Sequence, residues 1–112
     1  MDTSLLYSSV LAQLNQAIVT MTSPEFDALL QQGTVDDRQR AARALLDVAQ
    51  ARLILGNAVL GAIAVELRAN EQAFIDGRAE LEESLGRLDN IETVLSTVAK
   101  FVSVVGRVVT LI

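Results

Sequence analysis

An apolar residue recurs at every seventh position through most of this chain. Leu46, Leu53, Leu60, Leu67, Phe74, Leu81, Leu88, Leu95, Val102 and Val109 form an unbroken series. Three residues after each come Ala49, Gly56, Ile63, Asn70, Gly77, Ser84, Ile91, Val98, Val105 and Ile112. This second set is weak from Asn70 to Ser84. A step of seven, split into three and four, holds side chains on one face of an α-helix but throws them to opposite faces of a strand. Asp76-Gly77, the one turn-like dipeptide of the Asp-Gly type, is flanked by helix formers rather than by strand-like runs. The expected fold class is therefore all-α. The same spacing serves a helical bundle, a short antiparallel coiled coil or an extended coiled coil, and the first two fit the weak middle better.

The weak middle suggests a corner between Ala69 and Arg78, at Asn70 or at Asp76-Gly77. The expectation is a bundle built on a long helical hairpin over residues 35–112, with arms 35–69 and 78–112. Folded about Gly77, Leu60 would face the region of Val94 and Leu53 that of Phe101. The alternative is one unbroken helix from Asp36 to Ile112, about 115 Å long at 1.5 Å per residue. Asn and Gly inside a helix cost only about 0.5–1 kcal/mol each, so either arrangement is affordable.

Two helices are expected ahead of the hairpin. Over residues 4–21, Tyr7, Val10, Leu11, Leu14, Ile18 and Met21 make one apolar stripe, with Asp2, Thr3 or Ser4 to cap it. Ser23-Pro24 opens a short helix over 24–32, because proline tolerates the first helical position. Its apolar side is Phe26, Leu29 and Leu30, and Gly33 is expected to end it in the left-handed conformation. Thr34 caps the next helix, with Asp36 and Asp37 in the first turn. All 112 residues read as one helical domain.

Composition excludes most chemistry. The chain has no Cys, His or Trp, which removes disulfides, sulfur or imidazole metal sites, Cys nucleophiles and histidine bases. Glu80, Glu82 and Glu83, and then Asp89 and Glu92, resemble helical carboxylate clusters, but a di-metal bundle site also needs His. They read as a solvated face partly paired with Arg78 and Arg87. Arg38, Arg40 and Arg43 lie among Asp36, Asp37 and Asp47 and read as a mixed-charge surface. Gly56 and Gly61 lack the Lys-Ser/Thr of a phosphate loop. No catalytic residue, metal ligand or cofactor site is expected, and no enzyme. A net charge of −5 argues against nucleic acid.

What remains is apolar surface. Hydrophobic residues are 51% of the chain and the mean hydropathy is +0.38, high for a lone monomer of this size. Residues 94–112 carry an apolar face wider than a two-helix seam needs. The expectation is a non-enzymatic interaction or assembly module whose C-terminal face, Leu95, Val98, Phe101, Val102, Val105 and Val109, meets a second copy or a helical partner. A homodimer is the simplest completion of the bundle. The alternative is a membrane-associated or membrane-active protein that uses segments 53–65 and 94–112 on lipid. The first of these segments, held inside a bundle, loosely resembles the apolar segment of long-helix pore-forming toxins, in architecture and without a shared motif. The tryptophan of the WXG-type helical-hairpin secretion substrates is absent. The N-terminus, Met1-Asp2-Thr3-Ser4, has no basic start, so a cytoplasmic, at most membrane-peripheral, protein is expected. Eight of the nine basic residues are Arg, which suits a GC-rich bacterial genome.

Overall fold

Short polar residues set most of the helix starts. The computed structural model describes residues 2–110. Asp2 accepts a hydrogen bond from the Ser4 amide and opens α1 (Thr3–Met21). Ser23 accepts from the Phe26 amide, and Pro24 takes the first position of α2 (Pro24–Gln31). Thr34 and Asp37 form a reciprocal capping box at the start of α3 (Val35–Asn57). Gly33 does not adopt the expected left-handed conformation. Its role is space: a Cβ there would sit 2.8 Å from the Asp37 Oδ2 that closes the box.

The two expected arms are each interrupted. The stretch 35–69 divides into α3 and α4 (Leu60–Ala69), because Ala58 and Val59 are extended. Gly56-Asn57 is the local cause, a pair that ends helices readily. Asn70 does form a corner, as one of the two candidates. It ends α4, donates its side-chain amide to the Glu66 carbonyl, and opens α5 (Glu71–Arg87). Gly77, the other candidate, lies inside α5, where its missing side chain admits Phe101: a Cβ would meet the ring at 3.4 Å. The second arm breaks at Leu88-Asp89-Asn90. Leu88 takes the left-handed conformation (φ 49°, ψ 40°), and Asn90 caps α6 (Ile91–Val105).

Packing follows from these breaks. The helices α1, α3, α6 and α5 pack in a ring, each against the next and α5 back against α1, with α4 against α1 and α5. The helices α5 and α6 pack against each other in opposite senses, where Glu80 meets Lys100 and Ser84 meets Thr97; this pairing is not the expected one of 35–69 against 78–112. The expected facing of Leu53 with Phe101 does not occur. The helices α3 and α6 run in the same sense, with Arg40 at Glu92 and Ala44 and Asp47 beside Val98 and Val102. A molecule 44 Å in its longest dimension also excludes the 115 Å single helix. Among the described residues there are six helices and no strand.

The core runs along the inside of the ring. Phe26, Phe74, Phe101, Leu6, Leu14, Leu55, Leu67 and Leu81 are its largest fully buried side chains. Phe74 and Phe101 meet edge to face with centroids 5.8 Å apart. The Tyr7 hydroxyl donates to the Leu55 carbonyl at 2.7 Å and so satisfies a carbonyl in the last turn of α3 from α1.

Candidate interaction surface

The helix α3 is apolar on two opposite sides. Ala41, Val48 and Leu55 recur at seven and, with Ala51, are buried against the rest of the ring. Leu46 and Leu53 also recur at seven, half a turn away, and are 53% and 59% exposed. Ala42, Ala49 and Gly56 lie beside them and are exposed, as is Val35 in the first turn. In heptad terms the outward seam has Gln39, Leu46 and Leu53 at a, and Val35, Ala42, Ala49 and Gly56 at d. Large residues thus alternate with small ones along a helix about 34 Å long. The seam is bordered by Arg43, Gln50 and Asn57 on one side and by Arg38 and Arg52 on the other.

Those bordering charges are mostly tied down. Arg43 pairs with Asp47 at 3.4 Å. Arg52 bonds the Asn15 side chain on α1, and Arg38 donates to the Gly33 carbonyl. Arg40 and Glu92 form a two-pronged pair at 2.5 and 3.1 Å that ties α3 to α6. Its hydrogen bonds and opposite charge hold the Glu92 carboxyl below, and the Arg40 guanidinium above, their ordinary values.

The six residues expected to form an interaction face are brought together, but on the inside. Leu95, Val98, Phe101 and Val105 are buried, and Val102 and Val109 are half-buried. The apolar width of this segment is taken up by packing against α5 and α3. Burial of α6 is therefore a large part of the fold: at about 1.5–3 kcal/mol gross per fully buried side chain, its six buried residues contribute on the order of 10 kcal/mol. Leu111 and Ile112, the end of that expected face, lie outside the described residues. The surface that sequence reasoning missed is on α3. Its signal was present as the second seven-residue series, Ala41, Val48 and Leu55, which competes with Leu46 and Leu53 for the inside.

Several polar side chains at the clefts are engaged with one another. A cleft of about 220 Å3 between α1 and α5 is floored by Phe74 and Phe101. Its Arg78 is engaged by Ser9 at 2.7 Å and Glu82 at 2.9 Å. The Ser84 hydroxyl donates to the Leu81 carbonyl and shares a hydrogen bond with the Thr97 hydroxyl. Glu83 pairs with Arg87. Among the described residues no group of three or more acids could hold a metal ion, and no helix is long and apolar enough to cross a membrane. Comparison with protein-family models, curated proteins and solved structures finds no match to this chain.

Proposed function

We propose that the protein is a non-enzymatic helical interaction module whose working surface is the outward seam of α3. The observation that carries this reading is the exposure of Leu46 and Leu53 on a helix whose core face is already satisfied. A leucine seam with small residues between its leucines costs solubility and adds nothing to the core of the free chain. Its shape suits a second helix laid along it.

The test is the pair Leu46→Glu with Leu53→Glu. Both residues project into solvent, so circular dichroism and the melting temperature of the isolated chain should hardly change. A higher-mass species, homomeric or mixed, should be present in crosslinked source cells with the natural seam and absent with the variant. If no crosslinked species depends on the seam, the reading fails.

A membrane-associated role is the second reading, supported by two side chains at and after the α3–α4 break. Val59 and Val65 are 72% and 77% exposed, the highest among the large apolar residues. Co-sedimentation with neutral and anionic vesicles tests it, and binding to neither removes it.

A further inference from the structure

The shape and charge of the α3 seam specify more than an unnamed helix. We propose that its occupant is α3 of a second copy of this chain, laid antiparallel about a two-fold axis near Asp47 and Val48. This inference rests on the reading of the seam as an interaction surface.

Size complementarity comes first. In an antiparallel helix pair, a positions of one copy lie opposite d positions of the other. Every exposed leucine of the seam then meets a small residue: Leu46 meets Ala49, and Leu53 meets Ala42. A parallel pair stacks like on like instead, with Leu46 on Leu46 and Ala49 on Ala49. That leaves alternate layers too wide and too narrow for one interhelical distance.

Charge gives the same answer and fixes the register. In a parallel pair, Arg38 of one copy borders Arg43 of the other, twice by symmetry. Antiparallel pairing with Leu46 opposite Ala49 places Arg43 beside Gln50, Asp36 beside Asn57, and Arg52 beside Leu45. No like charges face one another. Sliding the copies by one heptad in one direction sets Arg43 against its own counterpart, and sliding them in the other direction sets Arg52 against its own. Among these registers, the one free of like-charge contact also overlaps α3 along nearly its whole length.

The neighbouring helices leave room for this. In the ring α3 packs on α1 and α6, reached through Arg52–Asn15 and Arg40–Glu92 on its two flanks, and α2 also touches it. Val35, Gln39, Ala42, Leu46, Ala49 and Leu53 are exposed between those flanks, while at the end of the seam Gly56 lies beside Leu11 of α1, which a Cβ there would meet at 3.9 Å. Two 23-residue helices meeting along one seam form a small interface. Association is therefore expected to be weak and concentration-dependent, visible between about 10 µM and about 1 mM.

The natural chain has no cysteine, so introduced thiols report the register without interference. Leu46→Cys and Ala49→Cys are made separately, mixed, and oxidised mildly, and intact masses are read. Both positions are exposed, and circular dichroism verifies the fold. The proposal expects the mixed 46–49 disulfide to outrun either self-linked species several-fold. It expects the crosslinking to vanish when Leu53→Glu is added to both chains. Faster 46–46 linking would mean a parallel pair and overturn it. A purified chain that stays monomeric to about 1 mM, with no crosslinking, would also overturn it. If a seam-dependent species still appears in crosslinked cells, only the second-copy inference has failed; if none appears, the interaction reading fails with it.

Discussion

Helices α3 and α6 carry the same seven-residue apolar spacing and put it to opposite use. On α6 the series Leu95 and Val102, with Val98 and Val105, faces the core, and the other side is Glu92, Ser96, Lys100 and Ser103. That helix has one apolar face and one polar face, so its orientation is determined. On α3 the series Leu46 and Leu53 faces outward, because Ala41, Val48 and Leu55 already fill the inside. The difference teaches that period identifies a helix but not which side of it is buried. The side is decided by what stands opposite, and a helix with two apolar sides has one to spare.

The comparison breaks most visibly under substitution of equal chemistry on the two helices. Phe101→Ala should cost about 3–5 kcal/mol, since the ring is fully buried against Phe74. Val105→Asp should prevent folding, because it places an unpaired charge in a fully buried position. Leu53→Ala should stay within about 0.5–1 kcal/mol of the natural chain. Urea denaturation of the three variants at low protein concentration measures this. Equal losses for Phe101→Ala and Leu53→Ala would erase the distinction between the helices.

A smaller effect concerns the buried stripe of α1. Gln13 is 3% exposed, and its Nε2 has no hydrogen-bond partner among the described residues. Leaving such a donor unmade costs about 1–3 kcal/mol, so Gln13→Leu should raise the denaturation midpoint. A lowered midpoint would show that the amide is satisfied in solution. On α5, Gly86 is exposed and open space surrounds its Cβ position. Gly86→Ala should therefore stabilise by about 0.5–1 kcal/mol through helix propensity alone. Calorimetry that finds no gain would place α5 closer to fraying than its packing implies.

The smallest effect tests the tie between the two compared helices. The Glu92 carboxyl is held below its ordinary value by Arg40, chiefly through their hydrogen bonds. The folded chain therefore holds this proton less tightly than the unfolded one. The stabilisation is present above the ordinary carboxylate pKa and is lost as pH falls through the lowered one. Both side chains are well exposed, so the effect is modest and weakens with salt. Glu92→Gln should flatten the acid limb of the stability curve slightly, and an unchanged limb would show that the pair contributes nothing in solution.

Much of the fold was legible because its signals are local. Ser23-Pro24 and Thr34 with Asp37 announce helix starts through caps that need only neighbouring residues. The α1 stripe was readable from its period, apart from Leu6, Gln13 and Ala17. The breaks were less legible. Leu88 keeps the heptad and yet turns left-handed, and the turn-forming pair Asp89-Asn90 beside it was the only warning. Gly77 looked like a corner and is a packing notch, which depends on Phe101 arriving from 24 positions away. The candidate surface was legible as a pattern but not as a surface. The sequence holds both seven-residue series of α3, and only the ring of helices shows which one is inside.

The most direct test of the account is sedimentation equilibrium of the purified natural chain beside Leu46→Glu with Leu53→Glu, over about 10 µM to about 1 mM. The account predicts a monomer–dimer equilibrium for the natural chain and a monomer throughout for the variant, with the same circular dichroism for both. A natural chain that stays monomeric over the whole range, or a variant that dimerises equally well, would contradict it.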